Sequence, residues 1–181
     1  GTGNVDIYRV SRVGGHPERV TIAPGQDGFP SWSPDGHHLA YIRFADEATN
    51  IWAIPSSGGL AVQLTREGLN QAICWAPDSD HMAYASVPGE SGEKPGLWLT
   101  SISRPGDARL ILEKNNGNYP EAWSRDGNEI LVWNNEGKNW AAYAYTLDGR
   151  RLFKVADEEP GESFVKFTEK GKKYADRIYM G

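Results

Sequence analysis

One short pattern is written into this chain four times, and only folds assembled from repeated units can accommodate it. The pattern is an apolar strand closing on an aromatic residue, a tight polar turn, and a second apolar strand. Its first copy is Phe29-Pro-Ser-Trp32-Ser-Pro-Asp-Gly36, followed by His38-Leu-Ala-Tyr-Ile42. The second is Ala72-Ile-Cys-Trp75-Ala-Pro-Asp-Ser79 with His81-Met-Ala-Tyr-Ala85, and the third is Pro120-Glu-Ala-Trp123-Ser-Arg-Asp-Gly127 with Glu129-Ile-Leu-Val-Trp133. A degenerate fourth reads Phe164-Val-Lys-Phe167-Thr-Glu-Lys-Gly171 and then Lys173-Tyr-Ala-Asp-Arg177. A second pattern alternates with the first. It is Asp6-Ile-Tyr8-Arg-Val10 before Gly14-Gly15, Asn50-Ile-Trp52-Ala-Ile54 before Gly58-Gly59, and Gly96-Leu-Trp98-Leu-Thr100 before Pro105-Gly106. It recurs more loosely from Trp140 to Tyr145 before Asp148-Gly149. A short strand follows each, over 18–21, 61–65, 108–112 and 151–155.

The unit is therefore four short antiparallel strands repeating roughly every 44 residues, which is the period and content of a β-propeller blade. The turn has a physical basis. In Ser33-Pro34-Asp35-Gly36 the proline presets φ, the aspartate accepts backbone N–H bonds, and the glycine tolerates positive φ. Asp35, Asp78 and Asp126 are accordingly turn-builders before they are candidates for catalysis. The fold expected is all-β: a propeller of four-stranded antiparallel blades, about four blades' worth in a single domain over 1–181. Its repeats span about 5–43, 50–85, 96–133 and 140–179.

Composition agrees and narrows the function classes. The 181 residues include 21 Gly, 11 Pro, 7 Trp and 8 Tyr, as many turns and short aromatic strands require. No apolar run approaches the roughly 18–20 residues of a membrane helix. The opening Gly-Thr-Gly-Asn-Val-Asp does not read as a signal peptide. A net charge of −5 argues against duplex nucleic acid or an anionic membrane as the main partner. The single cysteine, Cys74, has no partner for an internal disulfide, and zinc-type Cys/His spacing is absent.

The Trp-Ser-Pro-Asp-Gly turn, the Leu-Ala-Tyr strand after it and the Ile-Tyr or Ile-Trp strand before Gly-Gly resemble the WD-type repeat of the TolB-like β-propeller family. The resemblance covers residues 5 to about 179, strongly in three copies and weakly in the fourth, where Thr168-Glu169-Lys170 stands for Ser-Pro-Asp. That family's repeat also occurs in propeller domains of prolyl-oligopeptidase-type peptidases, and its relatives include polysaccharide lyases. Naming strands A to D outward from the channel, as the family does, A strands end at Trp32, Trp75, Trp123 and Phe167. The chain then reads C-D, three A-B-C-D sets, and A-B. The opening and closing pairs would complete one shared blade in a closed four-bladed ring. The alternatives are half of an eight-bladed ring completed by a second copy, as a homodimer, and a piece of a longer chain.

Enzyme signatures are missing. There is no Gly-x-Ser-x-Gly elbow, and Gly89-Glu-Ser-Gly92 and Gly161-Glu-Ser163 lack its spacing; no phosphate loop occurs. The histidines are scattered over blades, and no cofactor, metal ligand or catalytic residue is assigned. Cys74, before a core Trp on an innermost strand, reads as a buried inert thiol. By strand phase the D–A loops (23–29, 65–71, 113–119, 156–163) and B–C loops (43–50, 86–96, 134–139) emerge at one end. The partner-binding candidates there are Asp46, Arg66, Asn70, Asn118, Tyr119, Trp133, Asn134 and Trp140. Five of the seven tryptophans sit at repeat positions and read as core. Trp133 and Trp140 instead flank the polar stretch Asn134-Asn-Glu-Gly-Lys-Asn139, where a tryptophan pair would stack on a sugar or a peptide side chain. The other reading makes Trp140 the fourth C-strand aromatic and Trp133 a rim filler. The expected activity is a non-enzymatic scaffold that binds a protein or peptide through its loop face. The alternatives are the propeller portion of a larger peptidase or lyase, and carbohydrate binding. The resemblance implies an extracytoplasmic location, periplasmic or secreted, with the cytoplasm left open.

Overall fold

The computed structural model describes residues 4–45, 48–87, 94–114, 118–136 and 139–157. Its fourteen strands in chain order are β1 (Tyr8–Arg9), β2 (Glu18–Arg19), β3 (Gln26–Trp32), β4 (His38–Phe44), β5 (Thr49–Pro55), β6 (Val62–Gln63) and β7 (Leu69–Trp75). They continue as β8 (His81–Val87), β9 (Gly96–Ser101), β10 (Arg109–Glu113), β11 (Asn118–Trp123), β12 (Glu129–Glu136), β13 (Asn139–Thr146) and β14 (Arg151–Asp157). Each strand pairs antiparallel with the next within three four-stranded blades, β3–β6, β7–β10 and β11–β14, and the hairpin β1–β2 precedes them. The opening C-D pair and all three A-B-C-D sets stand where the repeat puts them, with A strands ending at Trp32, Trp75 and Trp123. The fourth A-B copy lies outside the described residues. The fold is an all-β propeller arrangement.

The turn between A and B explains why the motif recurs. Ser33 Oγ donates to Asp35 Oδ1 at 2.6 Å and accepts from His38 N at 2.9 Å, while the same Asp35 oxygen accepts from His37 N at 2.9 Å. In the third blade Ser124 Oγ donates to Asp126 Oδ1 at 2.6 Å and accepts from Glu129 N at 2.9 Å. Gly36 and Gly127 close these turns at φ 73° and 75°, in the left-handed region that glycine enters without a Cβ penalty. In the second blade Ala76 has no hydroxyl, and Asp78 instead accepts from His81 N at 2.9 Å and Asp80 N at 3.0 Å.

The core lies between blades. Strand alternation sends one side of each sheet toward the preceding blade and the other toward the following one. Ala40, Ile51, Ala53 and Leu64 of the first blade meet Trp75, Met82 and Tyr84 of the second. Ala83, Leu97 and Leu99 of the second meet Ile130, Val132, Tyr143 and Tyr145 of the third. The innermost strands are also tied by their tryptophans: Trp75 Nε1 donates to Ser31 O at 3.0 Å and Trp123 Nε1 to Cys74 O at 3.2 Å. Both carbonyls belong to the residue just before the preceding blade's own tryptophan. Trp32 departs from its reading as core, at 48% exposed. The physical reason is that the hairpin before it supplies C and D positions only, so the described residues place no inner strand beside that ring.

Candidate functional site

At the end of the blades carrying the D–A and B–C connections, each inner strand begins with a buried polar residue, at one register position in all three blades. Asp27 pairs with Arg43, Asn70 with Ser86, and Asn118 with Asn134. In the first blade Arg43 Nε and Nη2 donate to the two Asp27 carboxylate oxygens at 2.7 and 3.0 Å. The guanidinium also lies 4.6 Å from the Trp52 ring centre and 5.6 Å from that of Tyr41. The bond to Asp27 raises the Arg43 pKa further, and burial pushes the Tyr41 hydroxyl up to about 12. Asn70 Nδ2 donates to Thr49 O at 2.7 Å, Glu67 O at 2.8 Å and Thr65 Oγ1 at 3.0 Å, which fixes the loop leading into β7. Asn134 Nδ2 donates to Asn118 Oδ1 at 2.7 Å.

The structure therefore places three of the sequence candidates, Asn70, Asn118 and Asn134, inside the blades, Asn70 bonded to loop backbone and Asn118 to Asn134; all three are buried. The Asp27–Arg43 pair belongs to the same series; sequence reasoning placed Asp27 as a polar residue of the loop over 23–29 and did not pair it with Arg43. Its signal was present, as an Asp or Asn opening each A strand opposite a polar residue closing each B strand.

Arg66 is exposed and lines a groove of about 370 Å³ between the first two blades. The groove is lined by Arg66 and Glu67 of the loop, by Lys94 and Gly106, and by Tyr84 and Trp98. Those rings are stacked with centres 6.4 Å apart and planes 23° from parallel. Trp98 Nε1 donates to Lys94 O at 3.1 Å, and Lys94 Nζ pairs with Glu113 at 2.8 Å.

Tyr119, Trp133 and Trp140 come together on one side of the third blade. Tyr119 is opposite Trp133, and Trp133 is opposite Ala142, two residues along from Trp140, so all three side chains share a face. The Tyr119 and Trp140 rings stand 5.6 Å apart at 50°. Both tryptophans are half-buried, and Trp133 packs against Leu131, Ala142 and Ala144. Trp140 is thus tilted against its own chain's tyrosine, and both tryptophans are partly covered by their own blade. The ladder between β12 and β13 runs to Glu136–Asn139, so most of the stretch read as a polar loop is strand. Asp46, the remaining candidate, lies outside the described residues.

Elsewhere the chemistry is quiet. Burial, the largest cause, pushes the Cys74 thiol up to about 12, so it is protonated at neutral pH and a poor nucleophile. His81 Nδ1 is held by Asp78 at 2.7 Å beside the turn at the opposite end of the blade.

No family model matches the chain. It is 32% identical over 98 residues to the Tol-Pal system protein TolB of Nitratidesulfovibrio vulgaris, covering 52% of this chain and 21% of TolB. It is 29% identical over 110 residues to an uncharacterized peptidase, YuxL, of Bacillus subtilis, covering 57% of this chain and 16% of the peptidase. Among solved structures, TolB from Acinetobacter baumannii superposes with a TM-score of 0.66 at 19% identity, over 92% of this chain and 41% of TolB. An oligogalacturonate lyase in complex with manganese superposes with a TM-score of 0.73 at 16% identity, over 93% of this chain and 49% of the lyase. These structural likenesses are of fold alone. The chain spans 9 to 21% of the length of the curated relatives it matches.

Proposed function

We propose, from the premise that the chain is a TolB-like β-propeller, that it is a non-enzymatic scaffold binding a protein or peptide partner through its loop face. The observation that carries this reading is the contrast between anchored loop ends and the open groove beside them. Buried Asn70 and the Asp27–Arg43 pair make the rim rigid, so a ligand entering between Arg66 and Trp98 meets a preformed surface. The TolB relatives, named for the Tol-Pal system, favour a protein partner over a small substrate. An extracytoplasmic location goes with this reading and rests on the family resemblance.

The test is selection of displayed peptides on the immobilised chain. Enrichment of a shared motif whose synthetic peptide binds in solution supports the scaffold, and failure to enrich any motif contradicts it.

A second reading, the propeller portion of a larger peptidase, is favoured by the match to YuxL. It requires a hydrolase nucleophile elbow in the coding sequence flanking this segment, and a flanking sequence without one removes it.

A further inference from the structure

We draw no further inference here: the strongest candidate, the exposed apolar surface around Phe29, Trp32 and Phe44 at the inner edge of the first blade, carries none because nothing in the structure shows what covers it.

Discussion

Asp35 and Asp126 hold equivalent places in two turns, and both carboxyls are kept below their ordinary value of 3.8. The first cause is the hydroxyl of Ser33 or Ser124, followed by a backbone N–H from His37 or Asn128. A carboxylate whose folded pKa is depressed contributes stability above its unfolded pKa and loses it as pH falls through the folded value. Wild-type thermal stability should therefore fall from about pH 5 to about pH 2 more steeply than that of D35N/D126N, whose amides keep the shape without the charge. Equal slopes in a thermal melt series would contradict the assigned role. This part of the molecule was legible in the sequence, because Ser-Pro-Asp-Gly acts locally. The buried amides were not. Asn70 and Asn118 read as loop residues, since asparagine favours turns; Asn70 is buried against backbone carbonyls and Asn118 against the Asn134 amide, partners that only the folded blade brings near.

At the scale of the strand, the tryptophans closing the second and third A strands, Trp75 and Trp123, are ties to the blade before them. Trp75 is 7% exposed and bonded to Ser31 O, while Trp32 occupies the same repeat position and is 48% exposed. W75F keeps most of the packing and loses the indole donor, leaving the half-buried Ser31 carbonyl short of a partner. It should cost about 1–2 kcal/mol in urea unfolding, whereas W32F should cost less than about 0.5 kcal/mol. Comparable losses for both would show that the tie contributes little. Strand ends and phase were readable because turn residues and aromatics recur together. The exposure of Trp32 was not, because a repeat fixes a residue's place within its blade and says nothing of which neighbour stands beside it. The extended β12–β13 ladder was likewise hidden by Asn134, Asn135 and Asn139, residues whose turn preference the continuing ladder overrides.

The whole molecule separates two tasks. Sheets packed face to face through Tyr84, Trp75, Ile130 and their neighbours form a stack, and the groove between the first two blades is lined by Arg66 and Glu67 of a D–A connection at one end, by Lys94 and Trp98, and by Gly106 and Ala108 of the β9–β10 connection. Turns at the other end are closed by their own hydrogen bonds and hold His81 against Asp78. The fold was recoverable from one chain because its repeats supply internal comparisons. The groove was only partly so: Arg66 was among the loop candidates, but its neighbours Tyr84, Trp98 and Gly106 come from the following blade and are brought to it only by the packing of one blade on the next.

Binding at the loop face is the central claim, and hydrogen–deuterium exchange on the chain with and without a peptide from the library selection tests it most directly. The account predicts slowed exchange in the segments around Arg66–Asn70 and Lys94–Trp98, with the turns at Ser33–Gly36 and Ser124–Gly127 unchanged. Protection confined to those turns, with the Arg66 and Trp98 segments exchanging as in the free chain, would contradict it.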